Sequence, residues 1–328
     1  MLENQIEEII ERLLDEFNRY RINLDIILAI RFLIKSNNLN INICPPERKV
    51  NIAKKSINKP PDIILYDSDH NFVINEVKSS ISPSKGFLEQ ILDYLNIESI
   101  LDDDGNPITH NDYSLNLIIN IESYKDTRDY LLAAIDINQK NKFSITTFTR
   151  SESIPKRGTI YYLFELRDNR TILTEYNNLL NSLTKVFSID KLLEGEQLYF
   201  TSDPPVQYTI TLMWSLIIPS IIQNKKEQEF SFDEVQGIIR EYYCRWDHDI
   251  VFFRKKWLRK AFSKLSKIKW IRQTSYNNYK VIKTLNLQKN VTEIISEKLA
   301  RLEIEENGLE EETKSKPTQI NLTKFLGD

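Results

Sequence analysis

Two carboxylates and an amine, Asp62, Glu76 and Lys78, flank a segment that should fold them together. The residues from Asp67 to Asn71 are rich in turn formers and separate two apolar runs, so the segment reads as a β-hairpin. A turn centred on Asp69 puts Tyr66 opposite Phe72 and, by the same count, Asp62 opposite Glu76. Directly opposed residues on one sheet face have Cβ atoms about 5 Å apart. The two-residue strand period places Lys78 on the face of Glu76. Opposed like charges are unfavourable unless a cation lies between them, and carboxylate oxygens suit Mg²⁺ or Mn²⁺. A lysine beside such a pair can orient or deprotonate a water or stabilise a pentavalent phosphate. Together they match metal-assisted, in-line phosphodiester hydrolysis. Ile63, Ile64, Leu65, Val73, Ile74 and Val77 are apolar on both faces, which predicts a central, doubly covered hairpin where charge is costly without a role. Asp67 and Asp69 fall in the turn and are expected to shape it.

Pro61-Asp62, thirteen residues, then Glu76-Val77-Lys78 resembles the signature of the PD-(D/E)XK nuclease superfamily. Gln90 and Tyr94, four apart on the helix expected after Lys78, resemble the QxxxY motif of its RecB-like branch, and i,i+4 residues share a helix face. The resemblance covers roughly residues 1 to 150. It implies a restriction-endonuclease-like αβββαβ core with Asp62 and Glu76 holding the metal. Lys78 would assist the attacking water, and Gln90 and Tyr94 would position the strand. The family often adds a glutamate from the first helix; Glu7, bordering an apolar stripe, is the choice here, with Glu3 and Glu11 as rivals. Many relatives of the fold dimerise, so the resemblance also admits a homodimer.

Composition removes other chemistries. The seven glycines are scattered, which excludes GxGxxG and P-loop phosphate cradles. With only His70, His110 and His248, an HExxH zinc site cannot form, and no GxSxG elbow occurs. Cys44 and Cys244 cannot make a disulfide framework, and Cys44 is expected in the core. The start of the chain lacks a signal-peptide pattern, and the longest apolar run, Ile210 to Ile222, is shorter than the roughly 18 residues of a membrane span. The sequence therefore reads as an intracellular protein without a membrane partner.

Periodicity supplies the elements. Ile6, Ile9, Ile10, Leu13, Leu14 and Phe17 form a helical stripe in residues 2 to 17, and a second helix is expected from Asp25 to Ile34. Strands are expected at Leu39–Cys44, Asp62–Tyr66, Phe72–Lys78, Leu115–Ile121, Phe143–Phe148 and Thr159–Leu166. Helices are expected at Ser84–Ile97 and Thr127–Ile137. This is an α/β (α+β) order with a mixed central sheet. Paired prolines after Asp203 mark a boundary. Beyond it come a helix at Thr209–Ile222 and a capping box, Ser231 with Glu234, opening a helix at Phe232–Tyr243. A third helix at Asp249–Lys267 follows, then two strands around Asn277-Asn278, a winged-helix order. The expected division is a nuclease domain over 1–200, a mostly helical winged-helix domain over 201–290, and a helix (Thr292 to Glu306), acidic disordered run and tail over 291–328.

Between Arg240 and Lys289 stand fourteen Lys and Arg against three acids, a local +11 in a chain of −3, so the remainder carries −14. Arg254, Lys255, Lys256, Arg259, Lys260 and Lys264 on the third helix, with Arg272, Tyr276 and Lys280 on the hairpin, suit phosphate contact and stacking on DNA. Trp257 and Phe253 are expected in the core. The tail residues Gln319, Leu322, Phe325 and Leu326 resemble the peptide that binds the sliding clamp PCNA, with Leu326 in place of an aromatic. That likeness implies an archaeal cytoplasm, a eukaryotic nucleus, or one of their viruses. The expectation is a Mg²⁺- or Mn²⁺-dependent, structure-specific deoxyribonuclease of replication or repair, recruited by a clamp. An inactive DNA-binding factor on the same scaffold and a restriction or mobile-element endonuclease are the alternatives. Retention of Asp62, Glu76 and Lys78 argues against the first, and the clamp-like tail against the second.

Overall fold

The computed structural model describes residues 2–315 except 45–49, 53–54, 57–59, 82, 102–105, 109–111, 153–159, 170, 183–186, 189–199, 201–202, 224, 226–227, 245–252 and 284–289. The chain divides into two compact units. One comprises Asn18–Pro204 with Gly237–Arg254; the other comprises Met1–Phe17, Pro205–Gln236 and Lys255–Asp328. The boundary at Pro204 and Pro205 falls at the paired prolines.

The two expected N-terminal helices form one, α1 (Leu2–Ser36). Residues 18–24 hold neither Pro nor Gly, so nothing interrupts the helical hydrogen bonding between the two apolar stretches. Residues from Asn18 onward belong to the first unit.

That unit is built on a seven-stranded mixed sheet. Its strands are β1 (Asn42–Ile43), β4 (Ile63–Tyr66), β5 (Asn71–Lys78), β8 (Asp112–Asn120), β9 (Phe143–Glu152), β10 (Ile160–Asp168) and β11 (Phe187–Ser188), adjacent in that order. β5, β8 and β9 run parallel, and the outer pairings are antiparallel. Parallel neighbours need crossovers. α2 (Lys85–Tyr94) lies in the connection from β5 to β8, and α3 (Tyr124–Ala134) in that from β8 to β9. A smaller sheet of β2 (Val50–Ile52), β3 (Lys55–Ser56), β6 (Ile97–Leu101) and β7 (Pro107–Ile108) was not legible in the sequence, because β2, β3 and β7 are too short to display a period and β6 starts at Ile97, where the sequence predicts the end of a helix.

Alternation along β5 splits the core. Val73 and Val77 pack with Ile26 and Ile30 of α1 and Tyr176 of α4 (Thr174–Ser182). Phe72 and Ile74 pack with Phe87, Ile91 and Tyr94 of α2 and Leu131 of α3. The first of these faces contains a satisfied polar network. Asn75 Oδ1 accepts from Asn116 Nδ2 (2.9 Å) and Tyr176 OH (2.8 Å), while Asn116 Oδ1 accepts from Ser144 Oγ (3.1 Å) and Thr146 Oγ1 (3.0 Å).

The other unit contains residues 2–17 of α1, then α5 (Val206–Leu212), a π-helical turn (Met213–Ile217) and α6 (Ile218–Ile222). Pro219 has no N–H to give the preceding turn, which accounts for the widened hydrogen bonding there. Strand β12 (Glu229–Ser231) follows, then α7 (Phe232–Ile238), α8 (Lys255–Lys267), β13 (Ile271–Ser275), β14 (Asn278–Val281) and α9 (Val291–Ser315). The capping box forms: Ser231 Oγ accepts from Glu234 N–H (3.0 Å), and Ser231 N–H donates to Glu234 Oε2 (2.7 Å). The three strands lie in the order β12-β14-β13. α9 runs on through the acidic stretch expected to be disordered, whose Glu, Leu and Lys residues favour a helix. Among the described residues no helix is long and apolar enough to cross a membrane.

Candidate active site

The hairpin register places the carboxylates. Tyr66 pairs with Phe72 and Ile63 with Asn75, where the ladder ends; Asp62 stands in a bend just before β4 and meets β5 through its side chain. Asp67 closes the turn: its Oδ1 accepts from the N–H groups of Asp69 (3.0 Å) and Asn71 (2.9 Å), which leaves His70 at φ 57°. Burial works to raise the Asp67 carboxyl, but these bonds together outweigh it and hold it below the usual carboxylate range.

Asp62 is half-buried, and its Oδ2 accepts from Val77 N–H at 2.7 Å. The Glu76 side chain is only 3% exposed, and Lys78 Nζ meets its Oε1 at 2.6 Å. α2 then aims Gln90 at the same atom: Gln90 Nε2 donates to Glu76 Oε1 (2.8 Å) and to Tyr94 OH (3.3 Å). Ser84 caps α2 by accepting from Phe87 N–H (3.3 Å), which fixes where the helix begins and so which turn faces β5. The β5 end is also tied to α1, since Asn23 Oδ1 accepts from Ser79 N–H (3.1 Å) and Ser79 Oγ donates to the Arg19 carbonyl (3.3 Å). Asn23 and Arg19 carry no motif, and only the fold identifies them.

Burial alone would lower the Lys78 ammonium, but Glu76 and Asp62 outweigh it and hold it above its ordinary value. Lys78 is therefore a cation here. Tyr94 is fully buried; burial first, and then Glu76, pushes its hydroxyl far above the ordinary tyrosine range. Tyr94 thus belongs to the wall behind Gln90 and Glu76 rather than to an exposed edge that a strand could touch.

Glu7 is exposed and belongs to the unit formed by 1–17, 205–236 and 255–328, whereas Asp62, Glu76, Lys78, Gln90 and Tyr94 all belong to the other. Among the described residues no three His, Cys, Asp or Glu side chains converge as a metal site. The donor set for a cation is then two carboxylates, with Asp62 and Glu76 outnumbering Lys78. Hard oxygen donors with an excess negative charge in a half-buried setting fit Mg²⁺ or Mn²⁺, and Mg²⁺ is commonly held by one or two carboxylates with waters completing its shell.

The site continues along the sheet. Register places Lys78, Ile119, Thr147 and Glu165 in one row across β5, β8, β9 and β10. Arg167, at the bulge that follows in β10, reaches back to that row by pairing with Glu165 (2.7 Å) and donating from Nε to Thr147 Oγ1 (3.4 Å).

Arg254, the last residue of the sheet unit, is exposed; in the other unit Lys255, Lys256, Arg259 and Lys260 are exposed on α8, and Arg272, Tyr276 and Lys280 on the hairpin. Lys264, further along α8, is half-buried. Glu306 of α9 takes both Lys264 and Lys267 at 2.6 Å, so their charges are met within the unit. Trp257 is buried, as expected of a core residue. Gln319, Leu322, Phe325 and Leu326 lie outside the described residues. Comparison with protein-family models, curated proteins and solved structures finds no match for the chain.

Proposed function

We propose that the chain is a Mg²⁺- or Mn²⁺-dependent DNA nuclease of the PD-(D/E)XK type. The observation that carries the reading is the convergence of Asp62, Glu76, Lys78 and Gln90 on one half-buried point at the end of two central strands. The order α1, β1, β4, β5, α2, β8, with β5 and β8 parallel, supports an αβββαβ core around it. In the second unit, β12 between α6 and α7, the strand order β12-β14-β13, and a hairpin after α8 support a winged helix.

Asp62 and Glu76 would hold the cation, which would supply charge neutralisation at the phosphate and acidify a bound water. Gln90 orients Glu76, and the buried Tyr94 hydroxyl backs Gln90. Lys78, kept protonated by the two carboxylates, neutralises charge that develops on the phosphate and positions the attacking water. The exposed cations of α8 and the hairpin bind phosphates, and the tail at Gln319 to Leu326 docks on a sliding clamp.

Cleavage of labelled duplex, flap, fork, junction and single-stranded DNAs with Mg²⁺ or Mn²⁺ tests this, wild type beside Asp62→Ala. The expected outcome is cutting that falls by about 100-fold or more in the variant. Tight DNA binding without cutting under either metal would leave a DNA-binding factor on an inert core. Binding of a peptide spanning Gln319 to Leu326 to a sliding clamp tests the recruitment separately.

A further inference from the structure

Between α8 and the β13–β14 hairpin lies a cavity of about 500 Å³ whose chemistry neither the candidate active site nor simple phosphate contact uses. Its size falls within the roughly 300–1,000 Å³ of small-molecule sites. Phe262 and Tyr279, in edge contact at 4.6 Å, line its aromatic side. Lys255 and Arg259, one turn apart on α8, supply its cations, and Lys255 Nζ lies 5.3 Å from the Phe232 ring. At the hairpin tip Tyr276 lines the cavity yet remains 87% exposed, so one face of a large aromatic ring is open to a partner.

The cavity is preformed. Asn277 takes the left-handed conformation (φ 63°) that the turn requires, and its carbonyl accepts from Phe232 N–H at 2.8 Å, pinning the tip to α7. Asn278 Nδ2 closes the turn on Ser275 Oγ at 2.8 Å. Glu306 takes up Lys264 and Lys267, which leaves Lys255 and Arg259 without an ion-pair partner among the described residues.

An exposed aromatic, an aromatic-lined cavity of nucleotide size and two cations with no ion-pair partner among the described residues form a stacking platform beside a phosphate clamp. Inside a duplex both faces of a base are already stacked, so an unpaired nucleotide enters without the cost of leaving the helix. We propose that this cavity captures one unpaired nucleotide of DNA, so that the protein favours the junction between a single strand and a duplex. The inference rests on the nuclease reading for its choice of DNA, and it names the substrate class that reading leaves open.

The test uses the full chain carrying Asp62→Ala, so that DNA stays intact. Three ligands are compared by fluorescence anisotropy: a flush duplex, the same duplex with a three-nucleotide flap, and the free mononucleotide. The first unpaired base of the flap is 2-aminopurine. The expected result is flap binding about tenfold tighter than flush duplex, with quenching of 2-aminopurine as it stacks. Tyr276→Ala and Arg259→Gln, both at exposed positions, should each bring the flap-to-duplex ratio towards one and restore the emission. Equal affinity for flap and duplex, a ratio unmoved by both variants, or saturation by the mononucleotide with no flap preference would overturn the proposal. If wild-type protein still cuts DNA in those cases, the nuclease reading stands and only the cavity's role falls. Absence of both binding and cutting would overturn the two together.

Discussion

Glu76 is a carboxylate almost removed from water, and its place in the fold depends on Lys78, Gln90 and Tyr94. Lys78→Met should therefore leave Glu76 short of its cation and lower stability by about 1–3 kcal/mol in metal-free buffer. Millimolar Mg²⁺ should recover more of that loss in the variant than it adds to wild type, because the cation replaces the missing charge. Thermal melts with and without EDTA read both effects, and an unchanged melting temperature in EDTA would count against the pairing. A second residue behaves differently. Burial raises the Asp25 carboxyl from its ordinary value to about 6, although Arg21, the Tyr162 hydroxyl and Arg150 pull the other way. The folded state then binds the proton more tightly than the unfolded chain, so this group's contribution falls as pH rises from about 4 to 6. Asp25→Asn keeps an acceptor for Tyr162 OH and should raise stability at pH 7 by about 1–2 kcal/mol, flattening the pH profile across that window. Equal slopes for variant and wild type between pH 4 and 6 would dispose of the argument. The contrast explains what the sequence could disclose. Asp62, Glu76 and Lys78 are linked by strand period and one turn, both local rules, whereas Asp25 meets Tyr162 only through packing of α1 on a distant strand.

Elements report the same division between local and non-local order. The hairpin of β4 and β5, the capping box before α7 and the β13–β14 turn are legible because each depends on neighbours in sequence. The fusion of α1 is legible only in retrospect, from the lack of a breaker between two apolar stripes. β2 and β7 are too short to carry a period, β6 starts at Ile97 where the sequence predicts the end of a helix, and β2 finds β6 only across some fifty residues, Val50 pairing with Ile100. Asn75 shows how an element is locked by such partners. It is an amide in the middle of a buried apolar strand, and its Oδ1 joins β5 to β8 through Asn116 and to α4 through Tyr176. Asn75→Ala would strand the Asn116 amide and the Tyr176 hydroxyl in a site without water, costing about 2–4 kcal/mol. Asn75→Asp should cost at least as much, since it buries a charge among the neutral Asn116 amide and Tyr176 hydroxyl. Urea unfolding measures both, and a loss under about 0.5 kcal/mol for the alanine variant would mean that the network adds no net stability.

Across the whole molecule, charge and connectivity follow different boundaries. The basic segment from Arg240 to Lys289 contrasts with a remainder of −14, so the phosphate binding proposed above should depend steeply on salt. The compact units instead cut across the sequence: residues 1–17 are grouped with 205–236 and 255–328, not with the sheet that directly follows them. Phe17 is 6% exposed and its ring lies 5.7 Å from that of Tyr208, while Arg12 pairs with Glu303 at 2.7 Å. The exposed ion pair contributes at most about 1 kcal/mol, so the buried ring carries most of this attachment. Three of the four tryptophans, Trp214, Trp257 and Trp270, belong to the same unit and are buried, which makes their fluorescence a selective reporter of its unfolding. Phe17→Ala should move the tryptophan-reported urea transition by about 3–5 kcal/mol, the usual cost of removing a buried phenyl group. Ile30→Ala, in the core of the other unit, should shift the far-ultraviolet dichroism transition by about 2–5 kcal/mol and affect the tryptophan signal less. If Phe17→Ala leaves the tryptophan transition in place while Ile30→Ala moves it, the start of the chain would belong energetically to the sheet unit. The expected domain of residues 1–200 would then be the true folding unit.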